Sequence, residues 1–303
     1  MSELAPIVLF VYNRLDHVEL TIDSLKKNLL ASKSILYIYS DAPKTPQDSE
    51  AVKLVRSFIR EISGFKEVII KESKVNRGLA KSIVKGVGEV VNKYGTVIVL
   101  EDDIVTSPYF LDYMNKSLNL YNGSDRVQAI SGCNYPADLS GLDESTYFLR
   151  IPLCWGWATW KDKWDLFEKN DTIIKSFSRE NKKILNFNFN YNYFRQAENN
   201  LSGKLDTWFI FWYMAGVNNG LLTLFPKTSL VNNIGHDASG ENCQATNIYE
   251  VEIANEPVAV YKIPPFESNL ALEMHIKYFN KIKVSFLSRL KKIIVGFLKN
   301  GKS

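Results

Sequence analysis

Three adjacent acids, Glu101-Asp102-Asp103, close the apolar run Val97-Ile98-Val99-Leu100. A short apolar run bounded by charge suits a buried strand, so the acids fall where that strand emerges into a loop. Adjacent carboxylates offer hard oxygen ligands, and a cation such as Mg2+ or Mn2+ prefers these and can bridge a carboxylate to two phosphate groups. On this reading Asp103 makes the direct metal contact and Asp102 positions the phosphate-bearing ligand or the hydrated metal. Glu101 organises basic groups or the loop. Acids at a strand end also serve as helix caps or solvated loop residues, which is the plainer alternative.

Other polar residues fall at comparable places. Asn13 and Asp41 follow the first two apolar runs and suit a base or ribose, while Arg14 suits phosphate charge. Lys74-Val75-Asn76-Arg77-Gly78-Leu79-Ala80 precedes a helical pattern, and its Asn76 and Arg77 at a helix N-terminus favour an anion; an ordinary solvated helix start is the alternative. His236-Asp237 lies in the glycine-bounded stretch Asn232 to Gly240, either a mobile loop whose His236 contacts diphosphate on closure or a plain surface loop. Asp206, before the aromatic run Thr207 to Trp212, reads locally as a helix cap. His17 and His275 complete no metal triad, and Ser131-Gly132-Cys133 does not make a nucleophile elbow.

These residues need a scaffold that gathers loops. Apolar runs predict strands at Ile7-Val11, Ile35-Tyr39, Glu67-Ile70, Thr96-Leu100 and Val127-Ile130. Helical periodicity falls between them, near Asp16-Asn28, Gln47-Ile62, Gly78-Lys93 and Ser107-Tyr121, the last with Ser107 as cap and Pro108 at the first helical position. The alternation implies an α/β fold with a mostly parallel central sheet flanked by helices, its ligand crevice at the carboxyl ends of the strands. From about Asn134 the chain is richer in tryptophan, tyrosine and loop formers, without a linker that would divide it. Residues 1-274 therefore read as one catalytic domain with an acceptor-facing second half, and 275-303 as an appendage. The alternation from Asn186 to Phe194 reads as a strand with one aromatic face or as an aromatic-rich sugar-binding loop.

At 303 residues and 46% apolar composition the chain can bury a substantial core. Three cysteines without zinc-knuckle spacing point to a reducing compartment. No basic region with a long hydrophobic signal segment opens the chain, and the apolar stretch Trp208 to Val217 is too short to span a bilayer. The net charge of +4 is uneven: eight Lys or Arg and no acid lie from Lys277 onward, leaving −4 on the rest. That argues against a nucleic-acid surface. Phe279, Ile282, Phe286, Leu290, Ile293 and Phe297 share one helical face, which suits an anionic membrane surface or docking onto protein, and the oligomeric state stays open.

The ordered combination of motifs resembles a GT-A glycosyltransferase, more narrowly the inverting N-acetylglucosaminyltransferase I family and related bacterial polysaccharide glycosyltransferases. It runs through Val8-Leu9-Phe10-Val11-Tyr12-Asn13-Arg14, Ser40-Asp41, Asn76-Arg77-Gly78-Leu79-Ala80, Val99-Leu100-Glu101-Asp102-Asp103, Pro108-Tyr109-Phe110, Trp155-Gly156-Trp157 and Leu205-Asp206-Thr207-Trp208. The resemblance implies the GT-A nucleotide-diphospho-sugar transferase fold, with Glu101, Asp102 and Asp103 at the nucleotide sugar and metal and Asp206 as catalytic base. Trp157 would line the donor side within the segment Trp155 to Trp160. It implies a nucleotide diphosphate sugar donor, UDP-linked, with Mn2+ or Mg2+, and a surface glycan or lipid-linked oligosaccharide as acceptor. The setting would be cytoplasmic, peripheral at the inner face of a bacterial membrane. A sugar-phosphate nucleotidyltransferase and a nonenzymatic carbohydrate-binding protein are the competing readings.

Overall fold

The computed structural model describes residues 3–237, 239 and 246–283. The first half alternates strand and helix: β1 (Ile7–Val11), α1 (Leu15–Lys26), β2 (Ile35–Ser40), α2 (Ser49–Arg60), β3 (Glu67–Glu72), α3 (Leu79–Tyr94) and β4 (Thr96–Glu101). Then come β5 (Ile104–Thr106), α4 (Phe110–Leu120), β6 (Val127–Ser131), β7 (Thr146–Leu149), β8 (Trp157–Trp160) and the helices α5 (Lys161–Trp164), α6 (Asp171–Ser176), α7 (Arg179–Leu185), α8 (Phe194–Leu201) and α9 (Phe209–Asn218). β9 (Leu222–Pro226) and β10 (Val231–Asn233) follow, and residues 269–283 are helical.

Eight strands form one sheet in the order β3-β2-β1-β4-β8-β6-β9-β7. Its first four strands are parallel, as the βα alternation requires, while β8 is antiparallel to both β4 and β6. Every residue of β1 is buried, because the sheet is covered on both sides. Ile7, Leu9 and Val11 pack with Val18, Ile22 and Leu25 of α1 and with Val55 and Ile59 of α2. Val8 and Phe10 face the other way, against Ile83, Val87 and Val90 of α3. Each such side chain taken fully from water stabilises the fold by about 1.5–3 kcal/mol.

Three expectations change. α4 starts at Phe110, not Ser107, because the Pro108 carbonyl accepts from Leu29 N–H and the Ser107 hydroxyl donates to the Ala254 carbonyl. The 186–194 stretch is no strand. Phe187, Asn188 and Phe189 adopt positive φ of 48°, 54° and 66°, and the amides make turns and caps: Asn186 accepts from Phe194 N–H and Asn192 from Arg195 N–H. Finally, the boundary placed at 275 falls inside the helical segment 269–283, where His275 and Phe279 are buried against Tyr135. Through Lys283 this segment packs on the body; Phe286, Leu290, Ile293 and Phe297 lie outside the described residues. No described helix is long and apolar enough to cross a membrane.

Candidate functional site

β4 leaves the main sheet at Glu101, turns over Asp102 and Asp103, and continues as β5 in a separate two-stranded sheet with β10. The two aspartates therefore sit on a turn between two sheets, at the carboxyl end of the parallel half. β10 runs antiparallel to β5 with Asn233 opposite Ile104, and the pairing continues as Ile234 N–H donates to the Asp103 carbonyl at 2.9 Å. This register lays Gly235 on the Asp103 carboxylate: a β-carbon there would come within 2.1 Å of Oδ2. His236 follows, half-buried between the rings of Trp155 and Tyr249 at centroid distances of 5.3 and 4.9 Å. Asp237 then pairs with His17 of α1, Oδ2 lying 3.1 Å from Nε2. Strand register thus brings His236 to an aspartate distant in sequence.

Arg14, at the start of α1, completes the cluster. One guanidinium nitrogen donates to Asp102 and, at 2.8 Å, to Asp103. Expected to face phosphate, Arg14 here faces the acids. The backbone of the turn is held as well, since Thr21 Oγ1 donates to the Asp102 carbonyl at 2.7 Å.

Crowding shapes the electrostatics. Burial, then the nearby Asp103 and Asp102 carboxylates, pushes Glu101 up to about 8. Asp102 is pushed up to about 6 by burial, with Arg14 opposing. For Arg14, burial works against the charge, but the two aspartates outweigh it and the pKa rises. Burial lowers His236, with Asp103 pulling the other way. The Cys154 thiol, near Glu101, is pushed well above its ordinary value, first by burial.

The other expected residues divide. Asp41 spends its carboxylate on backbone: it accepts from Ala42 N–H at 2.9 Å, from Arg77 N–H at 2.9 Å and from Gly78 N–H at 2.9 Å. Asn76 donates back to the Ala42 carbonyl at 2.6 Å. These bonds tie the loop after β2 to the start of α3, so Asp41 and Asn76 build the rim instead of offering free groups to a ribose. Asn13 donates to Asp48 at 3.1 Å, and the exposed Arg77 side chain donates to Ser73 at 3.1 Å.

Trp157 is a correction. It lies on β8 opposite Val99, is 1% exposed, and packs within 5.4–5.9 Å of Trp164, Trp208 and Trp212, so no face remains for a donor. Trp155, separated from Trp157 by Gly156 at φ +64°, lies instead against His236. Asp206 is 65% exposed and pairs with Lys169, without a hydrogen bond or ion pair to the acidic turn. Two residues on, Trp208 stacks on Trp157 of β8.

Among the described residues no three His, Cys, Asp or Glu side chains gather as a ready metal cage. The donor set nevertheless fits a hard cation bound by one or two carboxylates, its shell completed by phosphate oxygens and water. One Arg14 nitrogen touches both aspartates, so their oxygens already converge on a single cationic point. Sequence reading missed Arg14 as partner of the acids, His17 as partner of Asp237 and Lys169 as partner of Asp206. Opposite charge was the available signal, but nothing along the chain shows which charges meet.

No protein-family model matches the chain, and no curated protein does. Among solved structures it is similar to a mannosyltransferase, PcManGT from Pyrobaculum calidifontis in complex with GDP-Man and Mn2+, at 12% identity over 72% of each chain and a TM-score of 0.40. It is also similar to S. aureus TarS 1-349, at 9% identity and a TM-score of 0.43, covering 75% of this chain and 59% of that one. Likenesses this distant leave function to the chemistry of the site.

Proposed function

We propose that this chain is an inverting, metal-dependent glycosyltransferase of the GT-A type. It moves a sugar from a nucleotide diphosphate donor, UDP-linked, to a hydroxyl of a bacterial surface glycan or lipid-linked acceptor. The observation that carries the reading is the convergence of Arg14, Asp102 and Asp103 where the parallel strands end, beside the rim built by Asp41 and the start of α3.

Asp103, with Asp102 beside it, would hold Mn2+ or Mg2+ for a nucleotide diphosphate donor. When bound, the cation offsets charge that grows on the departing nucleoside diphosphate. Asp206 takes the proton of the acceptor hydroxyl as its oxygen attacks the anomeric carbon from the face opposite the leaving group, so one displacement inverts configuration. His236 meets the diphosphate from its aromatic bracket. The basic C-terminal sequence keeps the enzyme at the cytoplasmic face of the membrane, near a lipid-linked acceptor.

Purified protein incubated with nucleotide sugars, Mn2+ and an acceptor glycan tests this. Release of a nucleoside diphosphate with a new glycosidic bond of inverted configuration is expected; pyrophosphate release would instead mark a nucleotidyltransferase. Asp206→Asn should lower kcat by about 10²–10⁴-fold while donor binding persists. Asp103→Asn should abolish metal-dependent donor binding. Near-normal turnover in the first variant rejects the base, and unchanged donor binding in the second rejects the ligand.

A further inference from the structure

The single Arg14 nitrogen that bridges Asp102 and Asp103 stands where a cation shared by those carboxylates would stand. An internal cation and an external one cannot both fill that point, since two positive centres in a partly buried site repel strongly. Arg14 is also well placed to serve a second partner. It caps no helix through its side chain, its guanidinium pairs with these two acids, and it stays partly open, with 18% of its side chain exposed. A diphosphate matches the planar guanidinium fork better than it matches any other group in the cluster.

From this geometry we infer that Arg14 is a positioning residue that couples metal entry to donor entry; the inference rests on the proposed nucleotide-sugar reaction. Without donor, Arg14 neutralises the aspartate pair and excludes a free divalent cation. An arriving diphosphate accepts the guanidinium, which releases Asp103 to the cation that the same diphosphate brings. The metal and the nucleotide then load together, and the acids are never left as an uncompensated pair beside the half-buried Glu101. Gly235 adds a matching constraint, because a β-carbon there would come within 2.1 Å of the Asp103 carboxylate.

Equilibrium dialysis at pH 7.5, reading Mn2+ retained by the protein with and without UDP, separates the possibilities. Circular dichroism checks the fold of each variant. Wild-type protein should retain little Mn2+ alone and gain at least about tenfold in affinity with UDP, a difference of about 1.4 kcal/mol. Arg14→Gln should bind Mn2+ alone about tenfold more tightly than wild type and respond less to UDP, and Arg14→Lys, which keeps charge without the fork, should fall between them. If Arg14→Gln binds Mn2+ alone no better than wild type, while UDP-dependent uptake still needs Asp103, the coupling role is overturned and the metal site stands. If wild type and Arg14→Gln both fail to take up Mn2+ with UDP, the metal reading fails and the coupling role falls with it.

Discussion

Glu101 shows how a side chain's neighbours decide its chemistry. It lies in a row of three acids, yet burial and the two aspartates favour its protonated form up to about pH 8, while Arg14 serves Asp102 and Asp103. A carboxyl whose pKa is raised on folding makes the folded state hold more protons than the unfolded one between its two pKa values. The favourable contribution is therefore full below the unfolded value near 4.5 and is lost as pH rises towards 8. Glu101→Gln, which removes that titration, should melt close to wild type at pH 4.5 and several degrees above it at pH 8.5. Thermal melts across this range check the sign, and a gap that shrinks with rising pH would contradict the burial of Glu101. The acidic motif was legible in the sequence; its division into a paired and an unpaired part was not.

Among the elements, the short β5–β10 ladder has the largest effect on the site. β5 has three residues and follows the acidic turn directly, so its register with β10 fixes which residue lands on Asp103. Gly235 is that residue. Gly235→Ala would drive a β-carbon into Oδ2, and either Asp103 or the His236 loop must move. The expected result is a loss of about 1–3 kcal/mol in stability with a larger loss in Mn2+-dependent nucleotide binding, read by denaturant unfolding and calorimetry. Unaltered nucleotide binding would mean that the loop does not constrain the carboxylate. β1 to β4, β6 and the first four helices were legible from apolar runs and periodicity, most clearly where a strand such as β1 or β4 is an almost wholly buried apolar run, whereas the three-residue β5 gave no such signal. The 186–194 segment misled for a physical reason: period two marks a strand only where a neighbour supplies hydrogen bonds, and here the asparagines close turns and cap α8 instead.

At the scale of the whole molecule, the C-terminal region belongs partly to the body. Phe279 is 2% exposed and packs against Tyr135, Phe187, Tyr191 and Tyr193, while His275 lies fully buried with its pKa pushed down to about 4 by that burial. Phe279→Ala should destabilise the protein by about 3–5 kcal/mol, measured by urea unfolding. Ending the chain after Met274 should prevent stable folding, whereas ending it after Lys283 keeps His275 and Phe279 in the chain. The second truncation also tests attachment cleanly: cosedimentation with anionic liposomes should fall sharply, and equal binding by both forms would place the membrane contact elsewhere.

Periodicity and composition alone determined the alternating strands and helices, the emergence of three acids at the end of a central strand, and the concentration of positive charge beyond residue 276. Those are local properties, set by how each short segment buries its apolar side and by where its charges fall. Only the tertiary structure decided that Arg14 lies on Asp102 and Asp103, that Asp41 is spent on the α3 backbone, that Trp157 is core, and that the 275–283 helix is docked. Each of these depends on strand order and register, which bring together residues scores of positions apart, and no pattern along the chain encodes such a meeting.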